Sequence, residues 1–231
     1  MSEIKNYDTV IIGGGIGGLM AAFRLRKNAP EMRIAITERG NTLEKRHCPA
    51  GKDKTCVHCK TCSITSGYAG AGAFSDGKFN LGTAYGGTLG EELGDDTANL
   101  YIDEVDKILN QYCTSGIPKV YRSNEELKLK CLQNNLRLLD MNVKHLGTDN
   151  NYLTMQNLIN AIAESGTDLF AFYDCVSVER DGNAYLLRYA NGETLRAQNI
   201  IIATGRGGAS FVADFCRMFD VKMRSNYVDI G

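Results

Sequence analysis

Apolar and polar positions change period several times along this chain, and each change marks an element. Residues 8–12 form a short β-branched apolar run of the kind buried in a parallel strand. Five glycines at 13–15, 17 and 18 follow, and then Leu19, Ala21, Ala22, Phe23 and Leu25 predict a helix ending near Asn28 and Pro30. Residues 33–37 predict a second strand, closed by Glu38, Arg39 and Gly40, which completes a β-α-β unit of about 30 residues. Residues 41–94 read as loop. Three helices are predicted next. The first covers 96–112, with Tyr101, Val105, Ile108, Leu109 and Tyr112 on one face. The second covers 124–140, where Ser123 and Glu126 fit a capping box, and the third covers 154–165, aligned by Leu158, Ile159 and Ile162. After Gly166 the period becomes two. Strands are predicted at 169–173, 176–180, 184–189 and 194–197, with hairpin turns at Asp181-Gly182 and Asn191-Gly192. A last apolar strand, 199–203, runs into Thr204 and the glycine-rich 205–208, and the pattern at 229–231 is again strand-like.

Composition narrows the class. A chain of 231 residues, 43% hydrophobic, is enough for one good core or two small ones. Lys and Arg number 26 against 27 Asp and Glu, so the basic surplus of a nucleic-acid binder is missing. No apolar stretch reaches the roughly 18 residues of a membrane span. Lys5 and the apolar residues 9–23 imitate an export signal, yet glycines interrupt that run and no small-residue cleavage site follows. The segment therefore reads as mature structure, and the protein is expected in the cytoplasm. The 25 glycines cluster in a few loops rather than spreading as a linker would.

Gly13, Gly15 and Gly18 spell G-x-G-x-x-G between a strand and a helix. The first permits a tight turn, the second lets backbone approach a pyrophosphate, and the third lets helix and strand pack closely. The amides of Ile16, Gly17 and Gly18 at the helix start offer unpaired N–H groups to that anion. Glu38, 25 residues after Gly13, is placed to accept from ribose hydroxyls; it disfavours a 2′-phosphate, a point that Arg39 softens.

A loop-rich insertion, then a three-strand meander feeding an apolar strand that ends in Ala203-Thr204-Gly205, resembles flavoproteins of the glutathione-reductase type. Further motifs narrow this. Residues 66–79, with Ser75-Asp76-Gly77-Lys78 at their centre, then residues 145–149, 205–208 and 226–231, are similar to the signatures of the uncharacterised bacterial FAD-dependent dehydrogenase family. The resemblance implies an α/β fold: a Rossmann-like FAD-binding parallel sheet with a β-meander crossover, plus a loop-rich, partly helical insertion. It implies FAD as cofactor, with NAD(P)H as a candidate electron donor and a small molecule or redox protein as partner. It also implies that the chain corresponds to an N-terminal portion of such a protein. The expected organisation is 1–115 as the first part of the FAD domain, 116–150 as a helical insertion opening the substrate domain, and 151–231 as the return. Ser75, Asp76, Gly77 and Lys78 are expected near the pyrophosphate and flavin ring, where Lys78 would stabilise negative charge. Implied contacts also include Val176, Ala203, Gly205 and Arg206, the last as phosphate or substrate anchor.

Cys48, Cys56, Cys59 and Cys62 read C-x7-C-x2-C-x2-C. The closing part matches the spacing of [4Fe–4S] loops; zinc, with His47 or His58, and thiol–disulfide exchange beside a flavin stay open. Arg46, Lys52, Lys54 and Lys60 would lower the thiol pKa values. Cys113, Cys131, Cys175 and Cys216 read as small buried hydrophobes. For proton transfer the candidates are His145, oriented by Asp149, and Lys78. The leading expectation is thus an FAD-dependent oxidoreductase. Covalent thiol chemistry on RNA or a metabolite is the alternative enzyme class, and a dinucleotide- or metal-binding module is the non-enzymatic one.

Overall fold

The computed structural model describes residues 4–51, 55–84, 86–139 and 141–224. In chain order the elements are β1 (Lys5–Ile12), α1 (Ile16–Asn28), β2 (Ile34–Glu38), β3 (Lys78–Leu81), α2 (Leu89–Leu93), α3 (Asp95–Gln111), β4 (Val120–Tyr121), α4 (Glu125–Gln133), β5 (Asn142–His145), α5 (Thr148–Glu164), β6 (Asp168–Ala171), β7 (Cys175–Asp181), β8 (Ala184–Tyr189), β9 (Thr194–Ile202) and α6 (Ala209–Met218). The protein is mixed α/β with a Rossmann-like, largely parallel sheet. No described helix is long and apolar enough to cross a membrane.

Two compact units form. The first, Met1–Ala71 with Ile162–Gly231, holds a six-stranded sheet in the order β6-β2-β1-β9-β8-β7. β6, β2, β1 and β9 are mutually parallel, whereas β8 and β7 continue antiparallel as the meander. The central strands are apolar because both faces are covered: every residue of β2 is buried, and β1 buries Thr9 to Ile12. Val10, Ile12, Ala35, Val178, Leu187 and Leu195 form the core, joined at four-residue spacing by Phe211 and Phe215 of α6 and by Phe219, its C-cap. Each fully buried Val, Ile or Leu contributes about 1.5–3 kcal/mol.

The second unit, Gly72–Ala161, has a three-stranded antiparallel sheet in the order β3-β5-β4. Because β3 pairs with β5 some 65 residues later, the whole segment between them is drawn into one body. The compact division therefore falls at 71/72 and 161/162, not at the expected 115/116 and 150/151.

Several local readings change. The two strands expected at 194–197 and 199–203 are one continuous β9. Helix α4 stops at Gln133, short of residue 140, because Asn135 takes a left-handed φ of 58°. Its cap is Asn124, whose side chain accepts from the amides of Glu126 and Leu127, so Ser123 is not the capping residue. α5 starts at Thr148, six residues before the predicted start, and α6 has no counterpart among the expected helices. Residues 226–231, which carry one of the motifs, lie outside the described residues.

Candidate functional site

Four of the glycines between 13 and 18 divide into two pairs. Gly13 has φ +112°, and a Cβ there would strike the Ala203 carbonyl oxygen where β9 leaves the sheet. A Cβ on Gly18 would strike the Gly13 carbonyl oxygen, so these two positions are demanded by packing. Gly15 and Gly17 instead have room for a Cβ at ordinary contact distance. A methyl group on Gly15 would come no nearer than 3.9 Å to the Gly70 Cα, and one on Gly17 would lie 4.0 Å from the Ala203 Cβ. Gly15 is also the cap of α1, which has no side-chain cap and no acid in its first turn. An open, uncapped helix N-terminus with partial positive charge fits a diphosphate.

Glu38, at the carboxyl end of β2, is only 7% exposed. One carboxylate oxygen accepts from the Gly14 amide at 2.8 Å; the other accepts from the Gly40 amide at 2.8 Å and the Gly67 amide at 2.9 Å. A carboxylate offers about four acceptor sites, so its main commitment in this structure is to the loops around the fingerprint. The segment 66–70 arches over that loop. The Ala69 amide donates to the Gly14 carbonyl at 2.8 Å, and the buried Tyr68 hydroxyl lies 3.0 Å from the Ile36 carbonyl oxygen. Burial, reinforced by the Glu38 charge, pushes the Tyr68 hydroxyl well above its usual range.

Arg46 locks the arch from behind. Its buried guanidinium donates to the carbonyls of Ser63 (2.9 Å), Ile64 (2.8 Å) and Tyr68 (2.6 Å). Burial lowers its pKa, and Glu38 opposes that shift. Arg39 ties the end of β2 to Ser66 Oγ at 2.9 Å and to the Gly207 carbonyl at 3.0 Å, beside the turn Arg206–Gly208. Arg206 is exposed. Val176 is the extra residue of a bulge at the start of β7, unpaired across the ladder and 58% exposed. Gly13, Gly15, Ile16, Gly17, Gly18, Glu38, Arg39, Val176, Ala203, Gly205 and Arg206 thus all belong to the first unit. Sequence reasoning misses Tyr68 and takes Arg46 only for a charge beside thiols.

Ser75, Asp76, Gly77, Lys78 and His145 belong to the second unit. Lys78 stands opposite His145 in the β3–β5 ladder, and the Asp76 carboxylate lies 2.9 Å from Lys78 Nζ and 3.7 Å from His145 Nε2. The hydrogen bond from Lys78 holds the Asp76 carboxyl below its usual range. Among the described residues the acid paired with His145 is Asp76; the expected orienter, Asp149, sits in the first turn of α5. Two buried polar groups here have no sequence signal. Asn151 donates to the Gly72 carbonyl at 2.8 Å, and Lys144 meets Asp106 at 2.6 Å. Phe79, Leu81, Tyr101, Ile102, Val105 and Leu109 line an apolar cleft of about 310 Å³ in the same unit.

In the cysteine cluster, among the described residues, no three potential metal ligands converge; Cys48 is half-buried, and Cys56, Cys59 and Cys62 are exposed free thiols. Lys52 and Lys54 lie outside the described residues. Amides of Ile64 and Thr65 hold the Cys62 thiol below its usual range, with Arg46 adding to the effect. Cys175 and Cys216 are buried as expected, whereas Cys113 and Cys131 are only half-buried.

The model of the pyridine nucleotide-disulphide oxidoreductase family matches residues 7–215. Solved structures similar to the chain include glycine oxidase from Geobacillus kaustophilus, at 17% identity and a TM-score of 0.53, covering 90% of this chain and 58% of that one. Another is the 3-ketosteroid-delta4-(5alpha)-dehydrogenase from Rhodococcus jostii RHA1 in complex with 4-androstene-3,17-dione, at 15% identity and 0.55, covering 89% and 47%. The chain thus spans roughly half the length of these structures, and the likeness is one of fold. No curated protein matches it.

Proposed function

The chain belongs to the pyridine nucleotide-disulphide oxidoreductase family, and from that premise we propose that it binds FAD and serves an FAD-dependent oxidoreductase reaction. When bound, FAD supplies the hydride- or electron-accepting chemistry. The observation that carries the reading is the helix mouth at Gly15 and Gly17, which has room for a ligand, no side-chain cap and no acidic residue in its first turn.

The residues have distinct parts in this reading. The amides of Ile16, Gly17 and Gly18 bind the diphosphate. Glu38 fixes the Gly14 amide and keeps the loop shaped for that anion, and one acceptor site would be left for a ribose hydroxyl. Val176, Ala203, Gly205 and Arg206 border the dinucleotide on the first unit; the role of Ser75 to Lys78, a charged edge of the second unit, is proposed from the resemblance alone. His145, paired with Asp76, is the candidate to hold or move a proton at Nε2. The finer kinship, to the glutathione-reductase type and to the uncharacterised bacterial dehydrogenases, is supported by the Ala203-Thr204-Gly205 strand end and the Ser75–Lys78 block. NAD(P)H is the proposed electron donor and a small molecule or redox protein the acceptor.

Titration of the protein with FAD, followed by flavin fluorescence and calorimetry, tests this. Binding is expected in the wild type and lost in Gly15→Val, whose side chain enters the open mouth with Gly70 as its near neighbour. Equal binding by Gly15→Val, or none by the wild type, would refute the assignment. Bleaching of the bound flavin by NADH or NADPH under nitrogen tests the donor.

A further inference from the structure

Phe172 is conspicuous on three counts. It is a bulky aromatic with φ 62°, a conformation that is an outlier for such a residue. It is 60% exposed, while its neighbours turn inward: Phe170 and Tyr173 stack with centroids 4.7 Å apart, and Tyr173 meets Tyr189 at 4.9 Å. And its backbone is pinned on both sides. The Phe172 amide donates to the Gly40 carbonyl at 3.0 Å, the Tyr173 amide donates to the Glu38 carbonyl at 2.9 Å, and the Asn191 side chain donates to the Phe172 carbonyl at 3.2 Å. Strain that is over-determined in this way, holding an apolar ring in water, marks a functional position.

Its place in the fold says which one. β1, β2 and β6 are parallel neighbours, so their carboxyl ends lie along one edge in that order. Ligands of open parallel sheets bind along this edge. The glycine turn follows β1, Glu38 ends β2, and Phe172 follows β6 directly. A dinucleotide with its diphosphate at Gly15 and its sugar at Glu38 carries its base one strand further, about 5 Å on, to the end of β6. The backbone hydrogen bonds from Phe172 and Tyr173 to Gly40 and Glu38 tie the end of β6 to the end of β2, whose Glu38 carboxylate in turn holds the Gly14 amide.

We propose that Phe172 is the aromatic platform on which the purine base of the dinucleotide rests, an inference that builds on the FAD reading above. A flat purine face stacked on a ring fixed by backbone hydrogen bonds gains affinity without a loop having to order.

Calorimetric titration of the protein with ADP and, separately, with inorganic pyrophosphate tests it. Phe172→Leu keeps the apolar volume and removes the π-face. A stacked base contributes about 1–3 kcal/mol, which corresponds to a roughly 5- to 150-fold weaker ADP complex; pyrophosphate affinity is expected to stay unchanged and Phe172→Trp to bind ADP as well as the wild type. Phe172→Gly separates the role from folding. Glycine accepts this φ, so thermal stability should hold or rise while ADP affinity falls. ADP affinity equal in wild type and Phe172→Leu, with pyrophosphate still bound, would overturn the platform and leave the dinucleotide reading standing. Parallel loss of ADP and pyrophosphate in Phe172→Leu would show a general loop defect and also overturn it. A wild type that binds neither would overturn both.

Discussion

Replacing Glu38 tests the architecture on which the site depends. Its carboxylate accepts three backbone amides from separate loops, at Gly14, Gly40 and Gly67, all within 2.9 Å. Hydrogen bonds to a charged group contribute about 1.5–3 kcal/mol each, so three amount to roughly 5–9 kcal/mol. Keeping a carboxylate 7% exposed costs several kcal/mol in lost hydration, although the nearby Arg46 offsets part of it. The net loss on Glu38→Ala is therefore expected at about 3–5 kcal/mol, the range for uncoupling a buried charge from its partners. Glu38→Gln keeps one acceptor oxygen but turns an NH₂ donor toward donor amides, and should lose about half as much. Urea denaturation gives the global figure. Native-state hydrogen exchange reports the local one: protection should fall at the amides of Gly14, Gly40 and Gly67 and persist in the core strands. A loss below about 1 kcal/mol, with those three amides still protected, would refute the reasoning.

Lys144 is almost fully buried and paired with Asp106 at 2.6 Å, so Lys144→Met should cost about 3–5 kcal/mol by stranding the carboxylate; the double change with Asp106→Asn should recover much of that in urea denaturation. Asp76 should titrate by carbon-detected NMR below the ordinary carboxylate value of about 3.9. Because its folded pKa lies below the unfolded one, the contribution from Lys78 is present above that unfolded value and fades as pH falls through the folded one. Lys78→Met should move the midpoint back up. Alkylation by iodoacetamide near neutral pH, mapped by mass spectrometry, should modify Cys62 before Cys56 and Cys59, and Cys175 last. Burial pushes the Cys175 thiol up to about 12 and shields it.

The β-α-β opening and the meander are legible in the sequence because their signals are local: a β-branched run, glycines at fixed spacing, and Asp-Gly and Asn-Gly turns. β3, β4 and β5 are not, since strands of two to four residues are defined by partners some 65 residues apart in the β3–β5 case and carry almost no pattern of their own. Glu38 is singled out by its distance from Gly13, but its three amide partners come from Gly14 and from loops that meet it only in the fold. Arg46, Asn151 and Lys144 show the same limit, because polarity in a sequence says exposed until a long-range contact says otherwise. The cysteine spacing is a genuine pattern. Among the described residues it brings no three ligands together.

β9 has a temporal consequence. Its residues 195–202 flank β1 on one side, while β2 flanks it on the other, and the Ala203 carbonyl seats against Gly13. A nascent chain leaving the ribosome thus presents the glycine turn first, and the strand that seats it arrives about 180–190 residues later. Residues 72–161, whose strands pair only among themselves, emerge complete in the interval. Synthesis therefore delivers the second unit as a finished body before the nucleotide pocket exists, and cofactor capture has to wait for β9.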